Sequence, residues 1–392
     1  MAALQHFKNF GLNAISIFGM SLLITGCNQT NTTSQGPKID ASKEVMVGLM
    51  VPSGSTNNQT ELLANSLINA AKLAIAEMGN VKIDMRIYPT GGNADQAAAA
   101  AQRATSEGVK ILIGPLFAQA TNSAGTAVAG DNINLLSFSN NPDIAGGNIF
   151  ILGDTFANTA NRVVGYAAAQ GKKSVAALVR ADAAGNVAAN AVEAATKTNG
   201  AAYVGVAKYE LSNESTVAAI SVTKGLIQQT GATALVMDAD AAGALPVFAQ
   251  LLPEAGISSA NTQFIGLTRW DKTPERVRAS PGMQGALFAL NDTSATASFQ
   301  KRYFEAYGTK PHLLAGKAYD GMRAVSTLLQ TGSQDALTRN ALTRSAGFSG
   351  ANGVFRFLED GTNQRALAVA TFREGQVIVV DPAPRSFGGV GF

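Results

Sequence analysis

Residues 111–141, ILIGPLFAQATNSAGTAVAGDNINLLSFSNN, constrain the fold more than any other stretch of the chain. The stretch opens with an apolar run that is β-rich and too short for a helix, and Gly114-Pro115 stops it. A middle portion of Ala, Thr and Val can lie on a sheet as a helix, and a second apolar run from Ile133 to Phe138 closes the stretch. Strand, loop, helix and strand in that order make one parallel β-α-β unit. In an open parallel sheet the ligand crevice lies beyond the carboxyl ends of the strands. Residues 116–121 and 137–141 are therefore expected to line one mouth, and both are rich in hydrogen-bonding groups.

The rest of the chain repeats the pattern. A strand over 45–51 is stopped by Pro52-Ser53-Gly54-Ser55. A helix over 59–78 carries Leu62, Leu63, Leu67, Ala70, Ala71, Ala74, Ile75 and Met78 at helical spacing, and a strand over 81–88 and a helix over 93–107 complete a first lobe. From 157 onward, helix 157–170, strand 174–179, helix 185–198, strand 202–209, helix 216–230, strand 234–237, helix 241–255 and strand 263–266 alternate without a break. Such alternation means parallel sheets with right-handed crossovers. With 392 residues the chain exceeds one ordinary core, so two lobes are expected. Helices over 296–307 and 315–329 follow, and then a change of texture, with Asp360-Gly361 marking a hairpin between alternating strands.

Five sequence runs carry a resemblance. GPLFAQAT followed by LLSFSNNP is similar to the pair of ligand-facing loops in the type I periplasmic binding proteins, the leucine/isoleucine/valine-binding family, and the likeness extends from about Val45 to Pro384. Within that family GLTRWD, KRYFEAYGTKP and KAYDGM resemble most closely the lipoprotein branch of penicillin-binding-protein activators. The resemblance implies an α/β fold of two Rossmann-like lobes with parallel sheets joined by a three-crossing hinge. It assigns 44–157 plus 286–346 to the first lobe, 158–285 plus 347–385 to the second, and 386–392 to a tail.

The amino-terminal region reads as an address and a tether. Residues 1–26 carry Lys8, a mostly apolar stretch and Thr25-Gly26 before Cys27, which fits a signal peptide. Leu23-Ile24-Thr25-Gly26-Cys27 is similar to a bacterial lipobox and implies lipidation of Cys27, hence membrane attachment through a lipid anchor. Asn28 is not the Asp that resembles an inner-membrane retention signal, so a periplasm-facing outer-membrane site is expected. Residues 27–43 hold almost no apolar side chains and read as a flexible tether.

Composition removes several function classes. Cys27 is the only cysteine, so no intramolecular disulfide is possible, and His6 and His312 are the whole histidine supply. A histidine triad or a multi-histidine metal site has no residues to build it. The net charge of +3 comes without any basic run, which argues against a nucleic-acid partner. GGNADQ lacks the spacing of a phosphate loop, and neither G-x-S-x-G nor H-E-x-x-H occurs. The expectation is a binding protein without catalysis or cofactor.

The candidate site is drawn from both lobes. Ser53, Ala118, Gln119, Thr121, Ser137, Ser139 and Asn140 are expected at the crevice from the first lobe, and Asp182, Asp238, Asp240, Thr268, Arg269 and Trp270 from the second. The competing reading is that Ser and Asn satisfy turns and helix N-caps. Trp270, the only tryptophan, either caps a ligand or plugs the space between strand and helix, and the cleft is the reading taken here. His312 is expected to be a packing residue, and Asp320 to fix its helix. An amino-acid site of this family calls for hydroxyls and N–H groups for the carboxylate, an acid for the ammonium group and an aromatic lid. By the resemblance, Ala118 stands in place of the ligand-binding Ser, Asn140 in place of an Ala-Thr pair, Ala184 in place of a Tyr, and Thr268 in place of the amine-binding Glu. The partner is accordingly a small polar or amino-acid-like molecule supplied to an uptake system or, as the activator branch implies, a cell-wall synthase.

Overall fold

A computed structural model describes residues 36–388 apart from Ala41 and Asn80; the leader, Cys27 and most of the tether lie outside the described residues. Strands β1 (Val45–Val51), β2 (Ile83–Pro89), β3 (Ile111–Ile113), β4 (Asn134–Ser137) and β5 (Ile149–Ile151) form a parallel sheet in the order β2-β1-β3-β4-β5. Helices α1 (Asn58–Ala76), α2 (Ala94–Ser106) and α3 (Ala118–Val128) connect its first four strands. Alternation along the strands decides which face each helix covers. Val47, Leu49, Ile111 and Ile113 point into one core with α1, whereas Met50 and Leu112 point into another with Ala97, Ala101, Ala120 and Ala124 of α2 and α3. Alanine at those helix positions lets the helices lie close on the sheet.

The second lobe contains α4 (Phe156–Ala169), β6 (Ser174–Arg180), α5 (Ala183–Thr198), β7 (Ala202–Tyr209), α6 (Asn213–Thr230), β8 (Ala234–Met237), α7 (Leu245–Glu254), β9 (Gln263–Gly266), the short α8 (Glu275–Arg278) and β10 (Leu287–Asn291). Its seven-stranded sheet runs β15-β14-β10-β9-β8-β6-β7, where β14 (Leu367–Arg373) and β15 (Gln376–Asp381) add antiparallel strands at one edge. Ala176 and Leu178 feed the core shared with α6 and α7, while Val175, Ala177 and Val179 feed the core shared with α4 and α5.

Between β10 and β14 the chain runs through α9 (Thr293–Tyr307), α10 (Ala315–Leu329), the short α11 (Arg339–Leu342) and a small antiparallel sheet of β11 (Phe348–Gly350), β12 (Gly353–Phe357) and β13 (Asn363–Arg365). The hairpin at Asp360-Gly361 joins β12 to β13 with Phe357 opposite Asn363. Two boundaries differ from those read in the sequence. Strand β10 pairs with β9 and β14, so the return to the first lobe falls at Asp292 and not at residue 286. Phe348, Phe355 and Phe357 belong to the first-lobe core, so the second-lobe portion resumes after Ala366 and not at 347. The aromatic rings decide this: Phe357 stands edge-on to Phe150, which the sequence-spacing argument has no means to see.

The chain thus passes between the lobes near Asp154, Asp292 and Ala366, and hydrogen bonds lace the three passages together. Asn363 Nδ2 donates to the carbonyls of Ile151 and Gly153 at 2.9 and 2.8 Å, Asn158 Nδ2 donates to Asn363 O at 2.8 Å, and the Asp292 amide donates to Asn352 O at 3.1 Å.

Trp270 explains one glycine in the second lobe. The indole is fully buried, packs on Gly266 at the end of β9 and donates from Nε1 to Ala239 O at 2.9 Å. A Cβ at Gly266 would overlap the indole, whereas one at Gly225 in α6 meets open space. Gly266→Ala is expected to destabilise the protein by about 1–3 kcal/mol, since overpacking forces side chains off their rotamers. Gly225→Ala is expected to stabilise it by roughly 0.5–1 kcal/mol through helix propensity. Urea midpoints for the two variants should move in opposite directions.

Candidate functional site

Beyond the carboxyl ends of β3 and β4 the structure opens a pocket of ≈ 400 Å³ lined by Leu116, Phe117, Ala118, Phe138, Ser139, Asn140, Asn141, Gly153, Asp154, Leu314 and Lys317. Strand direction places it there, as the carboxyl-end rule requires. Close contact between the two loops depends on Gly153, where a side chain would collide with the backbone of Ser139 and Asn140. Helix α3 starts at the pocket with Phe117 as its N-cap and no side chain capping it, whereas at the start of α10 the Ala315 and Lys317 amides already donate to His312 O and Leu314 O at 2.9 and 3.0 Å. Exposed amide donors at helix starts favour negative charge.

The pocket floor is charged. Lys317, whose side chain is 3% exposed, donates from Nζ to Asp154 Oδ1 at 2.6 Å. Arg365 places Nε 3.0 Å from the same Asp154 oxygen, donates from Nη1 to Asp320 Oδ2 at 2.9 Å and from Nη2 to Leu152 O at 2.5 Å. Asp320 is fully buried and its other oxygen accepts from the Ala351 amide at 2.7 Å. Burial works to raise the Asp154 carboxyl, but Lys317 and Arg365 outweigh it and hold it below the usual range, with Arg269 adding to the same field. Burial, then the charge of Arg365, pulls Lys317 down against the attraction of Asp154 and Asp320.

A second cavity of ≈ 420 Å³ lies between the lobes on the other side of the α10 start, where Arg269, Asp271, Lys272 and Leu290 face Phe299, His312, Leu313 and Gly316. The residues expected at the crevice therefore separate into groups. Ala118, Ser139 and Asn140 line the first-lobe pocket and Arg269 lines the interlobe cavity. Ser53 sits in the turn after β1, its carbonyl accepting from Gly91, and Gln119 is an exposed α3 residue; neither lines the described pockets.

The remaining residues are corrections. Thr121 and Ser137 are fully buried and hydrogen-bond each other at 2.7 Å, because α3 packs directly on β4, and so they do not face the crevice. Asp182 caps α5 by accepting from Gly185 N at 2.8 Å, and Asp240 accepts from the amides of Ala242 and Gly243 at 3.0 and 2.7 Å in its own turn. Asp238 is buried, accepts from Tyr209 Oη and the Arg180 amide, and is pushed up by burial. Thr268 donates to Ala239 O at 3.0 Å, and Trp270 is the plug between strand and helix, away from the cleft. Arg269 is held bidentately by Asp271 at 2.7 and 2.8 Å. His312 is exposed and lines the interlobe cavity, its Nδ1 accepting from the Leu314 amide at 3.1 Å, where a packing residue was expected. Lys317, Asp154 and Phe117 were missed as site residues. The available signal was a lysine inside the apolar period of KAYDGM.

The sequence pattern described as periplasmic binding protein matches residues 44–376. The chain belongs to the periplasmic binding protein family. Solved structures agree on the fold. A branched-chain amino acid ABC transporter protein from Rhodospirillum rubrum superposes with a TM-score of 0.72 at 20% identity, over 86% of this chain and 100% of that one. An ABC transporter substrate-binding protein from Desulfitobacterium hafniense, in complex with Leu, gives 0.60 at 19% identity over 86% and 100%. A solute-binding protein from R. palustris, in complex with benzoate, gives 0.56 at 14% identity over 89% and 99%. No curated protein matches the chain. The family is one of extracytoplasmic, non-catalytic binding proteins, and its two-sheet α/β fold is the one observed here. The likeness to the activator branch gains no support from these matches.

The sign of the Asp154 shift yields a pH prediction for this periplasmic binding protein. A carboxyl held below its unfolded value stabilises the fold above about pH 4, and that contribution is lost as pH falls through the folded value. Asp154→Asn is expected to melt below the wild type at pH 7, with the gap closing as the pH is lowered past about 4, because a protonated carboxyl resembles the amide. Melting temperatures of both proteins across that range check it.

Proposed function

We propose that the protein is the solute-binding component of an ABC uptake system and takes a small polar organic ligand into the cleft between its lobes. The observation that carries the reading is the pocket at the ends of β3 and β4, whose wall includes Asp154 at the first passage between lobes. A ligand seated there touches the hinge directly. The known complexes of R. palustris and D. hafniense proteins with benzoate and Leu support a small carboxylate-bearing solute. The side chain of Asn140 and the uncapped start of α3 supply polar contacts without an existing partner among the described residues. Retention of such a pocket favours solute binding over the alternative, contact with a cell-wall synthase, for which a filled cleft would serve as well.

A bound ligand shifts the lobes only to the extent that it favours the closed arrangement. A thermal-shift screen of amino acids and small organic acids is expected to return at least one compound that raises the melting temperature, because ligand bound to the native state stabilises by mass action. Small-angle scattering with that compound is expected to show a more compact particle. A screen with no stabilising compound, or scattering unchanged at saturation, removes the reading.

Membrane attachment belongs to the same proposal. Multiple acyl chains on Cys27 would anchor the protein stably where a single chain is marginal. Intact mass of the purified protein is expected to carry acyl groups, and Cys27→Ser to abolish them.

A further inference from the structure

Resting on the solute-binding reading, we infer that the cleft selects an organic acid without an amino group, because Lys317 already occupies the cationic place beside Asp154. A zwitterion needs an acid for its ammonium group and donors for its carboxylate. Asp154 is the only acidic residue lining the first-lobe pocket, and it already has Lys317 Nζ at 2.6 Å and Arg365 Nε at 3.0 Å. The other carboxylates near the cleft are committed elsewhere. Asp320 is bonded to Arg365 and the Ala351 amide, Asp271 holds Arg269 and Lys272, and Asp240 closes its own turn. Asp238 is buried under Tyr209, and Thr268 is neutral and bonded to Ala239 O. An incoming ammonium group would lose its water and have only Asp154 to meet, whose Oδ1 already carries Lys317 and Arg365.

An incoming carboxylate meets the opposite situation. Lys317 has three N–H donors, of which Asp154 takes one, and its nearly buried side chain reaches the pocket wall. The uncapped first turn of α3 faces the same space with amide donors. Arg269 and Lys272 stand across the cleft around the neighbouring cavity. The apolar part of the ligand has Leu116, Phe117 and Leu314 to lie against. In this arrangement the protein's own ammonium group replaces the one an amino acid would bring.

The test uses two pairs that differ only in the amino group, leucine with 4-methylpentanoate and phenylalanine with 3-phenylpropanoate, titrated calorimetrically into the full-length protein in detergent. In at least one pair the deamino acid is expected to bind tighter than its amino acid by roughly tenfold or more. Lys317→Met, close in shape and uncharged, is expected to weaken that deamino acid by about ten- to a hundredfold and to lower its preference over the amino acid, since Asp154 gains room for a ligand ammonium group. A change in the ratio is not produced by partial unfolding. Should this variant not fold, Asp154→Asn with Lys317→Met removes the pair together and is expected to weaken the same deamino acid at least tenfold. Amino acids binding as tightly as their partners, or a ratio unmoved by Lys317→Met, overturns the inference and leaves solute binding standing. Failure of all four probes also overturns it, and if the wider screen is likewise blank the solute-binding reading falls with it.

Discussion

The guanidinium of Arg365 lies where the chain makes its third passage between lobes, and the hinge is organised around its contacts. It joins Asp320 of α10, Asp154 of the first passage and the Leu152 carbonyl at the end of β5, while its face rests over the ring of Phe355 with 5.0 Å to the centroid. A buried cation is costly to desolvate, and the cost is met only when its donors are aimed at fixed acceptors. Removing Asp320 would leave that charge uncompensated, whereas the intact cluster holds three distant segments in register. Stability of an ion cluster of this kind is weak in itself; what it supplies is a single arrangement of the segments that meet there.

The same cluster sets the character of the pocket. Burial and the charge of Arg365 pull the Lys317 ammonium group down against the attraction of Asp154, and Lys317 in turn occupies one oxygen of Asp154. A wall of backbone amides and a lysine on one side, with Phe117 and the leucines on the other, makes a site that differs from an amino-acid site in charge while keeping its position at the strand ends. The sheet order determines where the pocket is, and a few side chains near the first passage between lobes determine its charge.

Much of the architecture was legible because parallel sheets leave a periodic mark. Short apolar strands, alanine-rich helices and Gly or Pro between them set out both lobes, and the helix over Ala315–Leu329 falls where the periodicity puts it. Positions along the strands were legible for the same reason. The directions of side chains beyond the strand ends were not. Thr121 and Ser137 are polar residues in the right loops, yet they point at each other because α3 lies on β4. Asp182 and Asp240 satisfy local amides, which any acidic residue at such a position tends to do.

The sequence by itself determined the class of fold, the alternation of strands and helices and the place of the crevice, since all of these follow from local periodicity and composition. Only the tertiary structure decided the burial of Trp270, the assignment of β10–β13 to their sheets and the charge of the pocket floor. Lys317 reads locally as one more lysine in an amphipathic helix. Its burial depends on Asp154, 163 residues away, and on Arg365, which reaches Asp320 over a separation of 45 residues. Electrostatic pairing across such distances has no period and no spacing, so a lysine inside an apolar period marks the position without naming its partners.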